Sequence, residues 1–177
     1  VVMNAVLGGL FSSRINLNLR EVHAYTYGAH SGFDWRRAAG PFVVATAVKT
    51  EVTDAAAREI LREIDRIRAE EVAADELDLA TKYLAGVFPI RYETTGAVAS
   101  ALALATVHAL PDDYFSTYRE RIAAVSRADV LAAARQHLHP EALQVLAVGD
   151  APAITEPLAA LQLGTPLVSN ADKGDDE

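Results

Sequence analysis

The chain has no cysteine, one methionine and one tryptophan, and aromatic residues make up only 7% of it. Without cysteine there is no disulfide framework, no thiolate metal site and no cysteine nucleophile, and either redox setting is tolerated. No apolar run reaches the roughly 18 residues of a membrane-spanning helix. Basic side chains are the scarcer charge, 16 against 24 acidic, giving a net charge of −8. A field of that sign repels phosphate backbones and anionic lipid, so neither nucleic acid nor a membrane surface is expected as a partner. What the chain does have is aliphatic bulk. Of its 177 residues, 51% are hydrophobic, and a domain of this size buries roughly 70% of its unfolded surface.

The sequence opens inside an apolar helical pattern with no capping residue ahead of it, so an N-terminal truncation is expected. Residues 1–168 read as a single domain and residues 169–177, ending NADKGDDE, as an acidic tail. Helical spacing runs from Val1 to about Glu21. It is interrupted at Gly8-Gly9, which marks a bend or a close backbone approach. Tyr25, Tyr27, Ala29, Ser31 and Phe33 then alternate with Thr26, Gly28, His30 and Gly32, predicting a strand. Asp34–Gly40 reads as a hairpin loop and Phe42–Thr50 as the returning strand.

Helices follow. Thr53 is placed as the cap of one with an inward stripe of Ala57, Ile60, Leu61, Ile64 and Ile67. Asp75 is placed as the cap of another carrying Leu77, Leu84 and Phe88, with Pro89 kinking or ending it. Thr95–Leu110 is almost wholly small and apolar, which predicts a helix buried on most sides. A short helix passes through Tyr114, Tyr118 and Ile122, and Ser126 with Asp129 forms a capping box for the next. Leu143–Val148 is expected as a final buried strand, and Pro152–Pro166 as loop or an edge element. These elements make an α+β domain, a two-layer sandwich of a mainly antiparallel sheet with several helices on one face.

Metal chemistry finds little support. His137 and His139 are two apart near a helix end and point different ways, and neither HExxH nor HxxEH occurs. His108 reads as a core or helix-terminal residue. Ser12-Ser13 lacks the strand and the glycine spacing of a nucleophile elbow. One constellation stands apart. Arg14 and Arg20 lie at the end of the first helical segment, and Tyr25 and Tyr27 just beyond it, so a guanidinium and a phenol can converge across a tight turn. Such a pair offers strong orientable donors and no base, which suits an extended peptide or a developing oxyanion. Taken alone, the same residues read more simply as Arg20 paired with Glu21 or a nearby acid and Tyr27 packed in the sheet, since Arg and Tyr are common structural residues.

Leu7–Ala29, LGGLFSSRINLNLREVHAYTYGA, resembles the opening signature of the C-terminal, non-metal-binding (inactive) domain of M16 zinc metallopeptidases, the pitrilysin/insulinase and processing-peptidase-like family. Leu110–Asp150 is similar to that domain's closing helices and strand. The resemblance implies a half-enzyme that pairs with an HxxEH-containing half, fused or separate, around an extended peptide. Zinc is then expected in the partner half, with no cofactor in this chain. The matched residues are Arg20 and Tyr27, seven positions later, which would act as substrate and transition-state donors at the partner's zinc site. Ala24 departs from the motif, which usually has glycine there, and the family's first strand is missing ahead of Leu7. The implied function is the non-metal half of an M16-type endopeptidase, inactive alone. The alternatives are a non-enzymatic scaffold or assembly subunit of the same fold, a homo-oligomer included, and a self-contained hydrolase using His137 or His139.

Overall fold

The structure, a computed structural model, describes residues 1–169. Helix α1 (Val2–Asn4) continues into a π-helical turn at Ala5–Gly9, and α2 (Arg14–Asn16) into a second at Leu17–Val22. Strands β1 (Ala29–Phe33) and β2 (Phe42–Thr46) pair antiparallel, with Ser31 opposite Val44 and Phe33 opposite Phe42. Then follow α3 (Thr53–Ala69), α4 (Ala74–Ile90), α5 (Thr95–Val107), α6 (Tyr114–Ala123), α7 (Arg127–His137) and α8 (Ala151–Ala159). The expected α+β class is present, with helices predominating over a small antiparallel sheet.

The core joins the N-terminal segments to α3 and α7. Leu7, Ile15, Leu19, Ile64, Ile67, Val72 and Val130 are fully enclosed, each such aliphatic contributing on the order of 2 kcal/mol. Ile60, Ile64 and Ile67 keep the helical spacing read from the sequence, with Ile60 partly covered. Gly8 explains how closely the first helical segment meets the sheet. A Cβ there would lie 2.3 Å from Ser31 Oγ and 3.0 Å from the Ser31 backbone nitrogen, so a larger residue would push β1 away.

Two asparagines complete that contact. Asn4 donates through Nδ2 to the Ser31 carbonyl (3.1 Å) and accepts from the Ser31 hydroxyl (2.7 Å). Asn16 Oδ1 accepts the Ala29 N–H at 2.9 Å while its Nδ2 donates to the Phe11 carbonyl at 2.6 Å. Side-chain amides thus satisfy main-chain groups of β1 that a neighbouring strand would otherwise take.

Between the helical bend and α4 sits an ion pair whose arginine is buried and whose glutamate is partly exposed. Arg14, 7% exposed, donates from Nε and Nη2 to the two oxygens of Glu76 at 2.6 and 2.7 Å. Glu76 Oε2 also accepts the Ala73 N–H at 2.8 Å, at the start of α4. The Arg14 hydrogen bond, aided by that of Ala73, holds the Glu76 carboxyl below the usual carboxylate range despite its burial.

Several local expectations are corrected. The strand begins at Ala29, not Tyr25. Thr26 Oγ1 bonds the main chain of Gly28 and donates to the Ala47 carbonyl at 2.8 Å, a local alternative to ladder pairing. Thr53 is the first residue of α3, not its cap, and its hydroxyl donates back to the Thr50 carbonyl at 2.9 Å. Asp75 lies inside the first turn of α4, where Ala73 holds the cap position.

Pro89 does sit in the last turn of α4, and Ser126 and Asp129 do form the expected capping box of α7. The Ser126 hydroxyl and N–H hold the Asp129 carboxyl below its ordinary range.

Helix α5 is not buried. None of its residues is enclosed, and Leu102 and Leu104 are more than half exposed. An all-round apolar surface permits burial but cannot supply the opposing layer. Residues 143–148 form no strand among the described residues, and Leu146 and Val148 are over 90% exposed; an extended segment becomes a strand only beside a hydrogen-bonding neighbour. Pro152 stands early in helix α8, in the stretch expected as loop or edge element. The tail expected at 169–177 lies outside the described residues apart from Ser169.

Ala24 adopts φ +54°, the left-handed conformation that costs a residue bearing a Cβ ~1–2 kcal/mol. It follows His23, which closes the π-helical turn, and the Tyr25 N–H reaches back to the Leu19 carbonyl at 2.8 Å. The glycine missing from the motif is therefore missing where a left-handed residue is required.

Two stability predictions result. Ala24→Gly should raise stability by about 1 kcal/mol and Tm by about 3 °C in a chain of this size; an unchanged or lowered Tm contradicts the strain assigned to Ala24. Glu76→Gln should lower stability by about 3 kcal/mol in denaturant titration, because it leaves Arg14 buried without its charge partner. The wild-type pair contributes fully above the unfolded glutamate pKa, about 4.3, and its contribution is lost as pH falls through the lower folded value. Glu76→Gln should remove that portion of the acid sensitivity.

Candidate functional site

The residues around Arg20 are fixed from two sides. Leu19 is fully enclosed and anchors the π-helical turn in the core. Asn18, on the preceding position, donates its amide to Glu59 Oε2 (3.0 Å) and Glu63 Oε1 (3.1 Å) of α3. Two carboxylates accept only, so the NH2 end of the amide must face them. The Asn18 hydrogen bond holds the Glu59 carboxyl below its usual range against a raising effect of burial, with Arg62 and His23 adding attraction. His23 Nε2 stands 3.8 Å from Glu59, and the His23 ring stacks on Tyr25 at 4.9 Å.

Arg20 itself turns outward. Its side chain is 34% exposed, and its Nε lies 3.5 Å from Glu21 Oε1. Its guanidinium carbon sits 4.4 Å from the centre of the Phe11 ring. Its Nη1 is enclosed without an acceptor. Tyr27 is 99% exposed, outside the strand and resting on none of the sheet. Tyr25 is half-buried against His23. Arg20 and Tyr27 therefore flank the same turn, both reach solvent, and no hydrogen bond joins them among the described residues. The Arg20–Glu21 contact read from the sequence is present, though long; the packed Tyr27 is not.

The histidines do not assemble a metal centre. His139 Nδ1 lies 3.2 Å from Glu141, His137 meets the Phe33 ring edge-on at 6.4 Å between centroids, and His108 ends α5. Among the described residues, no three His, Cys, Asp or Glu side chains gather where they could hold a metal ion.

Sequence reasoning missed Phe11, Asn16 and Asn18. A signal for the asparagines was available, since Asn is a poor helix-interior residue and Asn4, Asn16 and Asn18 all fall in one apolar helical pattern. Phe11 carried none beyond its place after the glycines.

Residues 1–84 match the model of the family described as the peptidase M16 inactive domain. No curated protein sequence matches the chain. Among solved structures, the peptidase M16 inactive domain from Pseudomonas fluorescens is similar over 78% of this chain and 33% of that one, at 25% identity and a TM-score of 0.72. A protease from Helicobacter pylori shares the fold at 17% identity and a TM-score of 0.68, over 77% of this chain and 33% of that one. A candidate zinc protease from Bordetella pertussis shares it at 18% identity and a TM-score of 0.63, over 77% and 74%. The chain thus spans about a third of the length of the Pseudomonas and Helicobacter proteins. Over residues 1–84 the chain is similar to the peptidase M16 inactive domain, and as a whole it carries the α+β fold of the solved structures that resemble it.

Proposed function

We propose that this chain is the non-metal half of an M16-type peptidase, binding an extended peptide against Arg20 and Tyr27 beside a hydrolytic centre held by an HxxEH-containing half. The observation that carries the reading is the full exposure of Tyr27, at 99%. A tyrosine ring is among the larger apolar surfaces a fold can bury, and this one is left in water seven residues beyond a guanidinium that also reaches solvent. The π-helical turn bearing Arg20 adds support, since π-bulges occur frequently at functional sites.

In this role the guanidinium fork and the phenol O–H donate hydrogen bonds to a peptide carbonyl, and more strongly to the oxyanion that replaces it. Neither side chain supplies a base. The zinc of such an enzyme belongs to the other half, and the purified chain alone should hydrolyse no peptide.

Arg20→Ala and Tyr27→Phe, each made in the assembled enzyme, should lower kcat/KM by about 10²-fold if each removes a transition-state donor. Wild-type kinetics in both variants would refute the donor role and favour a scaffold subunit of the same fold.

A further inference from the structure

We propose that Phe11 is a positioning residue for Arg20, its ring acting as a platform that sets the guanidinium plane for the peptide. The inference rests on the reading above, in which Arg20 meets substrate. It starts from a contact between two outward-facing groups. Phe11 is 69% exposed, yet Arg20 Cζ stands 4.4 Å from its ring centre, within cation–π range.

The choice of an aromatic partner has a chemical consequence. A carboxylate would neutralise the guanidinium and occupy its N–H fork. A ring takes the face of the cation and accepts none of its in-plane donors, so those other than the enclosed Nη1 stay open to a carbonyl or oxyanion. The acid nearest to Arg20, Glu21, is 3.5 Å from Nε and is itself well exposed, so it competes weakly.

Both partners of the stack are held from behind. The Phe11 carbonyl accepts a 2.6 Å hydrogen bond from Asn16, which also binds the first N–H of β1. The Ser13 N–H closes the turn around Phe11 by bonding the Leu10 carbonyl at 3.1 Å. Arg20 follows the buried Leu19 and the Asn18 amide that grips α3. The ring and the cation are thereby referred to β1 and α3 respectively.

The test is a double-mutant cycle in the complete enzyme with its HxxEH half: Phe11→Ala, Arg20→Ala, the double variant, and Phe11→Tyr. Because Phe11 is largely exposed, its replacement removes no core packing. Phe11→Ala should lower kcat/KM by about threefold to thirtyfold, should cost nothing further in the Arg20→Ala background, and should be rescued by Phe11→Tyr. Affinity for a substrate peptide in the metal-depleted enzyme should follow the same non-additive pattern. If Arg20→Ala is impaired but Phe11→Ala is silent, or if the two losses add, the platform role is overturned and the role of Arg20 survives. If Arg20→Ala is itself unimpaired, the parent reading falls and this inference with it.

Discussion

The pair between the buried Arg14 and the partly covered Glu76 is the joint on which the rest of the chain's geometry depends. Arg14 begins the second helical segment immediately after the bend at residues 10–13, and both Glu76 oxygens take its donors. One of those oxygens also satisfies the N–H at the head of α4, so a single carboxylate fixes where two helices start. Two residues after Arg14, Asn16 ties the bend to β1. Four residues after it, Asn18 ties the same segment to α3. A buried pair of this kind adds little net stability over apolar packing, but it forbids other placements of the segment, because any of them would strand a charge.

The outer face of that segment follows a different rule from its inner face. Inside, the polar side chains are engaged by the fold, Arg14 by Glu76, Asn16 by strand and bend, Asn18 by two glutamates, with Arg14 Nη1 and Asn18 Oδ1 left unpartnered. Outside, Phe11, Arg20 and Tyr27 are committed to nothing stronger than a stack and a long ion contact. Ala24 turns the chain between Arg20 and Tyr27 at the cost of a left-handed backbone. Strain and uncommitted donors concentrated in one short stretch are what a surface shaped for a ligand, more than for stability, is expected to carry. The overall negative charge makes an exposed arginine here the more distinct as an anchor for carbonyl or oxyanion oxygen.

The sequence was legible where local chemistry is sufficient. Ser126 and Asp129 satisfy each other across one turn, so their capping box needs no distant partner. Gly8-Gly9 announced a close approach, which Ser31 supplies. The Ile60–Ile64–Ile67 stripe required only a layer to face, and the N-terminal core provides it. Reading failed where the outcome depends on neighbours. The alternation from Tyr25 to Phe33 gives way to Thr26's own hydrogen bonds in its first half. Leu143–Val148 has the composition of a strand and no pairing partner among the described residues. Helix α5 has the composition of a core helix and, among the described residues, no second layer. At the site, Arg20 and Tyr27 were legible as types at a spacing, whereas Phe11 became visible only once the bend had folded it beneath the guanidinium.

The central claim is that the surface bearing Arg20 and Tyr27 touches peptide, and contact can be measured without turnover. A photo-crosslinking amino acid placed at Tyr27 in the complete enzyme, with a second at the exposed Leu79 of α4 as reference, would be irradiated with a labelled substrate peptide. The account predicts a peptide adduct at position 27, located by mass spectrometry and suppressed by excess unlabelled peptide, and none at position 79. Equal labelling at both positions, or none at 27 while the enzyme cleaves the same peptide, would contradict it.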